Sequence, residues 1–193
     1  MDVSRNAIHA VGFIQTTFSI VLALALGEAL RQAVADSDDR PIHWNRLPAL
    51  LSFLLIIFPF FQGMSQHLYL YYLAPNAKGT PAFLMFDGIC FLIESALFFV
   101  MARALAPSHW RRLYYAIIVL MVVDIGWSGI TVLRGIPVAA WIYLDIALAT
   151  VLLLELWFER GRQVSLRPAF VLLASSFVST AISYYEVQGI YFG

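Results

Sequence analysis

Six stretches of about twenty apolar residues constrain this chain more than any other feature, because about 20 are needed to cross the hydrocarbon core of a bilayer as a helix. They cover approximately residues 8–30, 48–73, 82–105, 113–133, 138–158 and 168–185. Strands of a membrane barrel would alternate polar and apolar residues, and these runs do not. The expected fold is all-α: an integral membrane helical bundle with six transmembrane helices, forming a single transmembrane domain over residues 1–193. The first run is too long for the roughly 7–15-residue apolar core of a cleaved signal, so it is read as a retained helix. Breakers punctuate the runs. Pro48 suits a helix first turn, Ala74-Pro75-Asn76-Ala77-Lys78-Gly79-Thr80-Pro81 separates the second and third, and Gly135 and Pro137 separate the fourth and fifth.

Charged residues make up only 12% of the chain, against roughly 25% in a soluble domain, which leaves no room for a separate soluble domain. A formal net charge of zero gives no reason to expect a nucleic-acid partner. The one cysteine, Cys90, lies in an apolar run and reads as packing. There is no HExxH, CxxC, G-x-S-x-G or phosphate-binding glycine loop, so no cofactor, metal or catalytic residue is expected.

The basic residues set an expected orientation. Arg31, Arg40, Arg46, Arg103, Arg111, Arg112, Arg160, Arg162 and Arg167 fall on the side of the odd loops; Arg5, Lys78 and Arg134 fall on the other. This bias predicts odd loops in the cytoplasm and both termini outside. Tyr69, Tyr71, Tyr72, Tyr184 and Tyr185 then read as an outer aromatic belt, and Trp110, Tyr114, Tyr115 and Trp157 as an inner one. The acidic run Asp36-Ser37-Asp38-Asp39-Arg40 reads as a solvated turn.

Six carboxylates lie inside or at the ends of these runs: Glu28, Asp87, Glu94, Asp124, Asp145 and Glu155. A charge in hydrocarbon is expensive unless it faces protein, water or an ion. With the orientation above, the spacing gives three levels: Asp87, Asp145 and His67 in the outer third; Glu94 and Asp124 near the middle; Glu28 and Glu155 at the inner end, where either can meet Arg103. Asp87 and Glu94 are seven residues apart and share one helix face, roughly 10 Å apart along the axis. Acceptors spaced through a membrane suit a proton or cation path, and carboxyls can equally pin helices together. His67 can gate such a path or serve only as a hydrogen-bonding group.

Ser175, Ser179 and Ser183 recur at four-residue spacing, with Ser176 and Thr180 beside them, making a ridge of small residues for packing within the chain or against a second subunit. Gly126 and Gly129 are expected to do the same. Pro59 frees a backbone carbonyl in the second helix, and Gln62, Gly63, Ser65 and Gln66 give that half a polar character suited to protein or water.

From Ile8 to Leu92 the chain resembles the prokaryotic and lysosomal potassium-channel family with a Phe-Ser-Asp signature. Phe13-Ile14-Gln15 stands where that signature stands, followed by Ser19-Ile20 at the family's apolar constriction. His9 stands for its arginine, Gln66-His67 for its Trp/His cluster and Asp87 for an Asn opening the third helix. The resemblance implies six helices per repeat, tetrameric assembly, a pore lined by the first helix and Ile20 as a hydrophobic gate. Its members have cytoplasmic termini, whereas the charge bias here predicts external ones.

The expected function is a cation or proton channel or transporter that uses Glu94, Asp124, Asp87, Asp145 and His67. Its expected partners are membrane lipid, a monovalent cation or proton, and further copies of itself or a membrane complex, in a bacterial inner (plasma) membrane. Two rival readings are a non-catalytic subunit that anchors a larger membrane complex, and a protein that binds or modifies a lipid or isoprenoid in a pocket of its many aromatic residues, 15% of the chain.

Overall fold

The computed structural model describes residues 3–34, 44–74, 77–105, 109–136, 138–159 and 167–191. The acidic run 36–40, Arg160 and Arg162, Pro75, Asn76 and Pro137, and the side chain of Arg5, all singled out above, lie outside the described residues. Among the described residues the chain is helical, with no strand. The helices are α1 (Val3–Val34), α2 (Leu47–Leu68), α3 (Pro81–Arg103), α4 (Trp110–Leu133), α5 (Ala139–Phe158) and α6 (Arg167–Tyr191). All six are long and apolar enough to cross a membrane.

Local chemistry explains the boundaries. At the start of α3, Thr80 Oγ1 accepts a hydrogen bond from Phe83 N at 3.3 Å and Pro81 takes the first helical position. At the end of α4, Gly135 adopts φ 84°, and Gly135 N and Ile136 N donate to Val132 O at 2.8 Å and Thr131 O at 3.3 Å. This left-handed cap ends the helix and satisfies its last carbonyls. Helix α1 runs several residues past both ends of its apolar stretch. Its polar last turns are held by Arg31 on Glu28 at 2.8 Å and Gln32 on Glu28 at 2.9 Å, side-chain pairs that support a helix without hydropathy. Helix α2 continues past Leu68 into one π-helical turn, Tyr69–Leu73.

Successive helices alternate in direction. Arg134 at the end of α4 reaches Asp87 near the start of α3, and Trp141 at the start of α5 lies over Gly63 in the second half of α2. Around the bundle the broadest contacts run α1–α3, α3–α4, α4–α5 and α2–α6, with thinner seams at α5–α6 and α1–α2. Phe18 of α1 anchors one side, with ring centroids 6.3, 6.4 and 6.5 Å from Phe61, Phe91 and Phe98. Phe60 meets Phe98 edge-on at 5.5 Å.

Pro59 does not break α2. It has no N–H to give to the carbonyl of Leu55 one turn earlier; instead Thr180 Oγ1 of α6 donates to Leu55 O at 2.7 Å. The proline thereby fixes where α6 docks. The polar half of α2 that follows is turned towards protein: Gly63, Met64 and His67 are buried. An added Cβ on Gly63 would lie 2.5 Å from the Trp141 ring, so the missing side chain leaves the space that this ring of α5 occupies.

Candidate functional site

Two buried polar clusters occupy the bundle. The first surrounds Asp87 of α3, which is fully buried. Its carboxylate accepts from Tyr72 Oη at 2.5 Å, His67 Nε2 at 3.0 Å, Trp127 Nε1 at 3.0 Å and Arg134 Nη1 at 3.0 Å. These donors come from α2, its π-helical turn and α4, so one carboxylate ties three helices together. The Arg134 guanidinium lies 4.0 Å from the Phe83 ring centroid and 5.2 Å from that of Phe86. His67 is wedged against Trp127 at 4.9 Å and Tyr71 at 5.5 Å. A buried polar network with its acceptor this well supplied rigidifies a core. Tyr72, buried within the π-helical turn, reaches the carboxylate from there.

Several expectations change here. Asp87 has a cation beside it, because Arg134 folds back from the helix end with its side chain only 5% exposed. Tyr72 belongs to this cluster rather than to an outer belt. Asp145 does not join Asp87 and His67; it sits with the middle acids.

The second cluster lines a partly open cavity of about 150 Å³ between α2, α3, α4, α5 and α6. Glu94 of α3, Asp124 of α4 and Asp145 of α5 all line it, and all three are buried. The carboxyls of Asp124 and Asp145 are close neighbours in this lining. Glu94 Oε1 and Asp145 Oδ2 are buried without a hydrogen-bond partner, as is Ser176 Oγ on the facing helix α6. Among the described residues no lysine, arginine or histidine lines the cavity; its remaining walls carry Phe91, Trp127, Trp141 and Ser179, among others. Trp127 serves both clusters, its indole N–H on Asp87 and its ring on the cavity wall. The geometry can therefore hold or pass a positively charged species on three carboxyls. Among the described residues no group of His, Cys, Asp or Glu is arranged to hold a metal ion.

The remaining site expectations fall elsewhere. Ser179 and Ser183 face the cavity inside the chain, and Ser175 donates to Val171 O of its own helix at 2.9 Å. Gly126 and Gly129 approach no other helix, since a Cβ on either would meet nothing within 4 Å. Glu28 pairs directly with Arg31 at 2.8 Å, with Arg103 nearby, and Glu155 pairs with Arg167 at 3.4 Å. Ile20 is 57% exposed on α1, so it closes no passage within one chain.

Arg134, Trp127 and Tyr72 were legible only in part. Trp127 and Arg134, the residue that caps α4, are seven residues apart and therefore share a face, and the antiparallel pairing of α3 and α4 brings that end of α4 to the end of α3 that holds Asp87. Nothing in the spacing, however, announces a π-helical turn at Tyr72. No family model matches this chain, and no curated protein and no solved structure matches it.

Proposed function

We propose that this chain is an integral membrane protein with six spans and both termini outside, and that it passes protons or small cations by way of the acid-lined cavity. The observation that carries this reading is the convergence of Glu94, Asp124 and Asp145, from three different helices, on one cavity with no basic side chain among the described residues of its lining. Intramembrane acids facing a cavity are the usual acceptors of proton and cation pathways. Asp87 and His67 play the supporting part: their hydrogen bonds hold α2, α3 and α4 in register and fix the Trp127 ring that forms one wall. The cytoplasmic placement of the odd loops rests on the excess of arginine there. A homo-oligomer in a bacterial plasma membrane fits the reading, and Ile20 would act as a gate only across copies of α1.

The test is flux into proteoliposomes carrying potassium and proton gradients. Wild type is expected to carry flux that the Glu94→Gln, Asp124→Asn double variant loses. Absence of flux from folded wild-type protein would overturn the reading in favour of a non-conducting subunit of a larger membrane complex.

A further inference from the structure

We propose that the central cavity is a binding site for a small organic ammonium ion with an apolar body, of about six heavy atoms or fewer. The inference rests on the cation-handling reading above and names the class of cation.

Charge comes first: among the described residues three carboxyls and no basic side chain line the space. Hydrogen bonding comes second. Glu94 Oε1, Asp145 Oδ2 and Ser176 Oγ are buried, unpartnered oxygens, and Glu94 and Ser176 are only 2% and 0% exposed. Leaving such acceptors unpaired is costly, and an ammonium group brings up to three N–H donors to them. The third point is the wall chemistry. Phe91, Trp127 and Trp141 face the same space. Aromatic rings offer a negative face to an ammonium head and a surface for an alkyl body. A metal ion is the poorer match, because the described acids form no metal cage and a hydrated ion gains nothing from rings.

Size and access agree. A cavity of about 150 Å³ is the size that accepts benzene in an apolar core, about six heavy atoms. The lining reaches the bundle surface at Phe58 and Tyr184, which are 66% and 58% exposed. An opening flanked by aromatic rings favours an amine with an alkyl body over a fully hydrated ion.

The experiment titrates the full chain, purified in detergent at neutral pH, with n-butylammonium chloride, following tryptophan fluorescence and Tm. Potassium chloride at equal ionic strength and 1-butanol, the neutral near-isostere, are titrated in parallel. Saturable change with n-butylammonium alone is expected, since Trp127 and Trp141 lie in the wall. Glu94→Gln and Asp145→Asn should each weaken binding by about tenfold or more, the effect of losing a charge-assisted hydrogen bond. Should either variant fail to fold, Ser179→Leu, which fills the cavity from a partly exposed position, should lose n-butylammonium binding while keeping helical content. No saturable response, or an equal one to 1-butanol or potassium chloride, or binding that survives Ser179→Leu, overturns the proposal. Those results leave proton flux untouched, so they are separable from failure of the transport reading, which is seen only in the vesicles.

Discussion

Asp87 shows how a single carboxylate can be costly and structural at once. Its partner Arg134 lies within 3.0 Å, and both side chains are almost wholly removed from solvent. Removing one member of a buried ion pair leaves a charge without compensation, so Arg134→Met should lower stability by about 3–5 kcal/mol. The Asp87→Asn, Arg134→Met double variant should lose less than Arg134→Met alone, because the orphaned charge has gone. Denaturant unfolding in detergent micelles, run on both variants, decides the matter; a double variant weaker than Arg134→Met would show that the carboxylate is held mainly by its neutral donors. Tyr72→Phe should cost about 1.5–3 kcal/mol, the range for a hydrogen bond to a charged group. The acids themselves were plain in the sequence. Their partners were not, because Arg134 and Tyr72 sit where hydropathy assigns them to the interface, and only the packed bundle shows both side chains turned onto Asp87.

At the scale of the helices, Pro59 and Thr180 make one unit although they lie on different elements. Thr180→Val removes the donor to Leu55 O and should cost about 1 kcal/mol. With Pro59→Ala the backbone N–H returns at position 59 and can supply that carbonyl, so Thr180→Val should then cost clearly less. Equal costs in the two backgrounds would deny the coupling. Gly63→Ala forces the Trp141 ring away from α2 and should cost about 1–3 kcal/mol with a shift in tryptophan emission; an unchanged spectrum would place the ring elsewhere. Gly135→Ala, at φ 84°, should cost about 1–2 kcal/mol, the left-handed penalty for a residue with a Cβ. A substitution without effect on the unfolding midpoint would mean that the cap relaxes. The positions of the helices could be read from the sequence to within a few residues, except for the polar ends of α1 and α6, which continue as helix where apolar content stops. The small-residue ridge on α6 was also visible, but its direction was not. Gly126 and Gly129 carry the same sequence signal and face open space.

For the molecule as a whole, orientation rests on arginine distribution. A C-terminal alkaline phosphatase fusion expressed in a bacterium should be active and a C-terminal green fluorescent protein fusion dark; the reverse would put the termini inside and remove the charge-bias argument. The sequence by itself determined that the chain is helical, that it has six segments able to span a bilayer, and that several carboxyls lie deep within them, because segment length and hydropathy are local properties of a chain. It could not determine which of those carboxyls meet. Levels along the membrane normal placed Asp145 beside Asp87, yet the rotation of α5 about its own axis brings it to Asp124 and Glu94. Depth follows from counting residues, but azimuth follows from packing between helices far apart in the chain. The tertiary structure alone therefore separated the carboxylate that is saturated with donors from the three that share a cavity.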